Sequence, residues 1–172
     1  MELANYKACI CEGSAENAII DILLDYDLMI FKREEMIEEE VLRCREGKKF
    51  EQKYLRKGFN DKISVIRILD SRHENFKLSK AYADKVDVIN VVTAPEIEML
   101  IIFNEDKYKE FKKSAKKPSS FCKEDLKMAE VKSYDFVKNY FRDPMVLVTA
   151  IRKYHEMSRV PSGEYTLLDL LR

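Results

Sequence analysis

The sequence predicts an α/β architecture: a mainly parallel central sheet covered by helices on both faces, followed by a helical carboxyl-terminal part. Three observations carry this reading. Short apolar, β-branched runs alternate with stretches whose apolar residues recur at helical spacing, which is the pattern of strand–helix–strand units. Two of those runs stop on an acid, at Glu12 and at Asp70. Beyond about residue 131 only helical spacing remains, so residues 1–130 are expected to form the α/β domain and residues 131–172 a helical extension packed on it. A chain of 172 residues is long enough to bury a real core.

Ala8-Cys9-Ile10-Cys11 reads as the first strand, with Glu12-Gly13 as the turn and Ser14 as the N-cap of a helix. Ala15, Ala18, Ile19, Ile22 and Leu23 then recur on one face of that helix. Asp27–Phe31 reads as a second buried strand, although five residues also fit a helical turn. Arg33–Lys57 fits two amphipathic helices, broken near Gly47 and ended near Gly58. Lys62–Asp70 carries Ile63, Val65, Ile66, Ile68 and Leu69 and is the most strongly β-branched run. A short helix over Leu78–Lys85 and a strand over Val86–Val92 follow. Thr93 and Glu96 stand at capping-box spacing around Pro95, opening a helix through Ile97–Ile102. Pro118 interrupts the next lysine-rich stretch. Residues 135–141 and 143–158 are helical by pattern, the latter with Asp143 as N-cap and Pro144 in its first turn, and Thr166–Leu171 is a short helix or docking segment.

Composition excludes several classes of protein. The hydrophobic share is 46% and the charged share 36%, which predicts a soluble, globular chain with a heavily charged surface. No apolar run approaches the roughly 20 residues that span a bilayer, so no membrane contact is expected. Met1-Glu2-Leu3-Ala4-Asn5 lacks the basic start and apolar centre of a secretory signal, and a cytoplasmic location is the expectation. Lys plus Arg and Asp plus Glu both count 31, so any contact with nucleic acid comes from a local patch rather than from the field of the whole molecule. Of the four cysteines, Cys9 and Cys11 lie two apart on one strand face while Cys44 and Cys122 are remote. Without a second close pair they read as buried thiols, not as a zinc site. Neither His73 nor His155 has a nucleophile at a suggestive spacing, which argues against a catalytic triad. No internal repeat, P-loop or GxGxxG motif occurs. The run Glu38-Glu39-Glu40 reads as a solvated face.

Glu12 and Asp70 are the candidate site. Inner parallel strands lie about 5 Å apart, so two that end side by side bring these carboxylates near enough for one divalent ion to bridge them. Open α/β sheets place their chemistry at this carboxyl edge. Asp70 is equally open to a turn or helix-cap role. The residues leave open whether Glu96 or Glu98 also faces the site. Lys107, Lys109, Lys112, Lys113, Lys116 and Lys117, interleaved with Tyr108 and Phe111, are open to two readings: a face that tracks a phosphate backbone, or an ordinary solvated surface.

Glu12-Gly13 after a strand, Glu16 three residues on, Asp70 after another strand and Ala94-Pro95-Glu96-Ile97-Glu98-Met99-Leu100 opening a later helix together resemble the small Toprim-like proteins of bacterial phage defence. The resemblance is to the RloB-like group and the Toprim domains of OLD-type nucleases, over roughly the first two thirds of the chain. The resemblance implies a Toprim-like fold and a magnesium- or manganese-dependent nuclease acting on DNA or RNA, with a partner ATPase in related systems. It also implies that Glu12 is a metal ligand or general acid/base, that Glu16 and Asp70 help to hold the cation, and that Gly13 and Ser14 receive a phosphate at the helix start. One departure matters: the family commonly has Asp-x-Asp where this chain has Asp70-Ser71-Arg72. A cation in place of a carboxylate argues against two-metal chemistry. It leaves Arg72, with Lys112, Lys113, Lys116 and Lys117, to hold substrate phosphate, and Glu74 to stand in for the lost acid. The alternative is a Toprim-like module that binds nucleic acid or protein without catalysis.

Overall fold

The computed structural model describes residues 2–57, 61–72 and 75–172. Among them three strands, β1 (Tyr6–Cys11), β2 (Ile63–Leu69) and β3 (Val86–Val92), form a parallel sheet in the order β1-β2-β3. Cys9 pairs with Ile66 and Cys11 with Ile68, while Ile68 pairs with Val91, so the three strands end on one rim. Every residue of β2 is buried, as expected of a central parallel strand covered on both faces. Strand alternation divides the core. Cys9, Cys11, Ile66, Ile68 and Val91 face the larger cluster, and Ala8, Ile10, Ile63, Val65 and Val86 face the smaller.

The helices cover the two faces unequally. On the larger side lie α1 (Ser14–Asp25), α3 (Met99–Asn104), α5 (Pro118–Glu124), α6 (Tyr134–Tyr140) and α7 (Pro144–Met157), with α4 (Tyr108–Ser114) packed at its margin. The smaller side is closed by α2 (Gly47–Tyr54) through Phe50 and Tyr54. Within the larger cluster α7 packs on α3 and α6 on α1, and the terminal 3-10 turn Leu167–Leu170 adds Leu167 and Leu170. The α/β class with helices on both faces and a helical end is therefore the observed one. Among the described residues no helix is long and apolar enough to cross a membrane. Cys9, Cys11, Cys44 and Cys122 are free thiols, and all but Cys44 are buried.

Several elements differ from their sequence-based expectation. The segment predicted as a second strand over Asp27–Phe31 makes only an isolated antiparallel bridge, Met29 to Leu171. Its Ile30 N–H donates to the Leu170 carbonyl, and its Leu28 carbonyl accepts from Arg172, so the end of the chain takes the place of a sheet neighbour. The first helix predicted after Arg33 is replaced by two 3-10 turns, Arg33–Glu35 and Ile37–Glu39, with Glu38 and Glu39 at positive φ. Their continuation runs beside β1, where Cys11 N–H reaches the Leu42 carbonyl and Leu42 N–H the Cys9 carbonyl. An uncovered strand edge demands partners for its backbone groups, and this demand overrode helical spacing. Glu38, Glu39 and Glu40 are exposed there. The helix expected over Leu78–Lys85 is one 3-10 turn, Lys80–Tyr82. The helix expected from Thr93 starts only at Met99, after a turn in which Met99 N–H reaches the Glu96 carbonyl and Leu100 N–H the Ile97 carbonyl. The Thr93–Glu96 capping box does not form, and Thr93 Oγ1 is buried without a hydrogen-bond partner. Pro118 opens α5 at its first position rather than breaking a helix. Gly58, where a helix end was expected, and His73 and Glu74 lie outside the described residues.

Candidate active site

Strand polarity and register build the site. Glu12 follows the last residue of β1 and Asp70 the last residue of β2, and both emerge on the carboxyl rim, one position out of step. The chain turns at Gly13 into α1, and Gly13, not Ser14, is the N-cap. The N-cap is one residue earlier than expected because Gly13 already holds the extended backbone that a cap needs. This places Glu16 at the third helical position, where the N-terminal dipole favours an acid, and the residue is only 6% exposed. Its carboxylate folds back over Gly13: a Cβ on Gly13 would lie 2.1 Å from Glu16 Oε2. From the other side of β2, Glu98 ends the Pro95 turn as the N-cap of α3 and is 2% exposed. Glu12, Gly13, Ser14, Ala15, Glu16, Arg45, Asp70, Glu98 and Lys132 line one cleft of about 210 Å³.

The cleft's acids fall into two groups. Burial, followed by the charges of Glu16 and Glu98, lifts Asp70 to about 7, against the Ile97 N–H that donates to its Oδ1 at 3.0 Å. Burial likewise lifts Glu98 to about 7, opposed by Lys132 and reinforced by Glu96 and Glu16. Glu98 Oε2 is buried with no hydrogen-bond partner, while Oε1 lies 3.8 Å from Lys132 Nζ. Glu12 stands apart, 3.5 Å from Arg45 on one side and 3.5 Å from Arg67 on the other, and 19% exposed. Arg67, in the middle of β2, is 1% exposed and lies against the Phe76 ring and Asn90 Oδ1. The two expected acids thus share a rim and a cleft, but Glu16 and Glu98 crowd Asp70 while arginines flank Glu12. Asp70 also ties the end of β2 to the turn at Ile97, as its structural reading expects.

Glu96 does not line the cleft. Its Oε2 accepts the Ser119 N–H at 2.7 Å near the start of α5; burial would raise its pKa, yet this hydrogen bond and Lys132 hold it below the usual range. Ser14 lines the cleft and accepts from Arg43 at 3.2 Å. Arg72 does not reach the cleft; its guanidinium forks onto the Glu164 carboxylate, with Nε 2.6 Å from Oε2 and Nη2 2.8 Å from Oε1. Lys112 lines a different cavity, Lys116 pairs with Glu124 and Asp125, and Lys113 and Lys117 are exposed outside the cleft lining. The cations at the cleft are Arg45 and Lys132, which no motif marks. Arg67 did leave a signal: a charge inside a β-branched run requires a buried counter-ion, and Glu12 shares its strand face.

Among the described residues no three His, Cys, Asp or Glu side chains already converge in ligating geometry. The donor chemistry nevertheless suits a hard divalent ion. Glu16, Asp70 and Glu98 are oxygen donors whose mutual repulsion a cation relieves, and Glu98 Oε2 has no hydrogen-bond partner. No family model, no curated protein and no solved structure matches this chain.

Proposed function

We propose that this cleft is the active site of a divalent-metal-dependent phosphodiesterase acting on nucleic acid, a Toprim-like nuclease of the kind used in phage defence alongside a partner ATPase. The observation that carries the reading is the crowding of Glu16, Asp70 and Glu98 at the carboxyl rim, with Arg45 and Lys132 at its margin. Glu16, Asp70 and Glu98 would hold magnesium or manganese, with Glu12 beside them, held by Arg45 and Arg67. When bound, the ion supplies charge neutralisation at the phosphate and a lowered pKa for attacking water. Arg45 and Lys132 orient the phosphate, and Gly13 and Ser14 present the start of α1 to its oxygens. Arg67 fixes the direction of the Glu12 carboxylate.

The test incubates the protein with supercoiled plasmid, single-stranded DNA and transfer RNA, with magnesium, manganese or a chelator. Metal-dependent cleavage that disappears in Glu12→Gln and Asp70→Asn is the expected result; no cleavage of any substrate with either ion overturns the reading. The engagement of Glu12 by two arginines favours a second reading, a non-catalytic nucleic-acid-binding module, which binding without cleavage would select.

A further inference from the structure

A second cavity, of about 340 Å³, is lined by α4, the end of α7 and the connection over residues 94–99, whose Glu98 lines the acidic cleft. Glu98 lines the cleft and Met99 this groove; Asp70 lines the cleft and Arg72 the groove. Its lining contains three cations, Arg72, Lys112 and Arg159, and no carboxylate. Arg72 is committed to Glu164, whereas Lys112 and Arg159 have no carboxylate within ion-pair distance among the described residues. Aromatic rings complete the wall. Tyr108 stacks on Phe103 with centroids 4.6 Å apart, which fixes its ring; the flexible Lys112 side chain brings its Nζ over the same ring, 6.0 Å from the centroid, and would swing aside for a base, and the Tyr154 hydroxyl is held by both the N–H and the carbonyl of Ala94. Cations without acids select an anion, and fixed aromatic rings select a flat, unsaturated body; together these describe a nucleotide.

We propose that this groove is a nucleotide subsite for a single strand, DNA or RNA, lying across the acidic cleft, with Lys112 and Arg159 on its phosphates and Tyr108 against a base. The proposal rests on the nuclease reading for the identity of the strand, but not on cleavage. It assigns the lysine-rich helix a defined role, because only Lys112 of that run enters the cavity.

The experiment measures fluorescence anisotropy of labelled 12-nucleotide DNA and RNA single strands over a salt series, in chelator so that no ion loads the cleft. The double variant Lys112→Gln/Arg159→Gln is expected to bind at least tenfold more weakly. The slope of log affinity against log salt should fall in magnitude by about 1.4, from about 0.7 per lost phosphate contact. Tyr108→Leu should weaken binding about tenfold with the slope unchanged. A charge-matched control, Lys48→Gln/Lys62→Gln, should retain affinity, and far-ultraviolet circular dichroism should match wild type for the neutralised variants, whose changed residues are exposed, and for Tyr108→Leu, which keeps an apolar side chain against Phe103. Unchanged affinity and slope in the groove variant overturn the subsite, as does a wild type that binds neither strand or binds polyglutamate as tightly. If the groove variants lose strand binding while no substrate is cleaved, the subsite stands and the nuclease reading falls. If cleavage is metal-dependent but the groove variants bind normally, the subsite falls and the nuclease reading stands.

Discussion

A single methyl group tests the contact at the heart of the cleft. In Gly13→Ala the new Cβ would meet Glu16 Oε2 at 2.1 Å, yet φ at this position is −108°, ordinary for any residue. The clash falls on the far end of a flexible side chain, so the carboxylate swings away and the fold gives up little, about 1 kcal/mol or less by chemical denaturation. On the proposed function, metal-dependent cleavage should drop at least tenfold in the same variant, because the Glu16 carboxylate no longer faces Asp70. The acids also set a pH dependence. Asp70 and Glu98 rise from 3.8 and 4.5 to about 7, so the folded state holds protons that the unfolded chain has shed. The stability they contribute is complete below pH 4 and lost as pH climbs through about 7, since the native state binds more protons across that window. Thermal melts from pH 5 to 8 should show Tm falling, and Glu98→Gln should roughly halve that fall. At pH 8, magnesium or manganese should restore the loss, by about 2.7 kcal/mol at a hundredfold excess over Kd. An unchanged Tm with either ion would speak against a cation in the cleft. At this scale the sequence was informative wherever an acid closed a strand, as Glu12 and Asp70 do. It was silent on Lys132 and Arg45, whose local surroundings resemble any charged surface and which matter only through what lies across the cleft.

At the scale of elements, caps read well when the partner is local. Asp143 was legible as the N-cap of α7 because its Oδ1 bonds Met145 N–H two residues away, at 2.9 Å. Asp143→Ala should cost about 1 kcal/mol in chemical denaturation, and Asp143→Asn much less. The pairing of Thr93 with Glu96 looked equally local and failed. Pro95 holds its predecessor extended, and the Glu96 carboxylate finds the backbone of Ser119, 23 residues away. The helical spacing of Met36, Ile37, Val41 and Leu42 misled for a related reason: the open edge of β1 recruits this segment through Cys11 and Leu42. Local pattern therefore decided elements whose polar groups are satisfied within a turn, and long-range hydrogen bonding decided the others.

For the whole molecule, the larger core cluster joins Cys9 of β1 to Leu170 near the end of the chain. Leu147 of α7 is fully buried in that cluster. Leu147→Ala should cost about 2–5 kcal/mol, and near- and far-ultraviolet signals should still lose structure in one coincident transition. Two separated transitions would mean that the carboxyl-terminal helices fold apart from the sheet. What the amino-acid order by itself determined is the α/β class, the three strands at their places, the carboxyl-rim position of Glu12 and Asp70, and the start of α7; each follows from periodicity and chemistry within a few residues. Only the tertiary structure decided that Glu98 rather than Glu96 joins the cleft, that arginines claim Glu12, and that Arg72 turns to Glu164. Polar groups 27, 28, 55 or 92 positions apart, as in Asp70 with the Ile97 N–H or with Glu98, and Arg67 or Arg72 with their partners, interact through space, and their energies depend on burial and distance that no local pattern encodes.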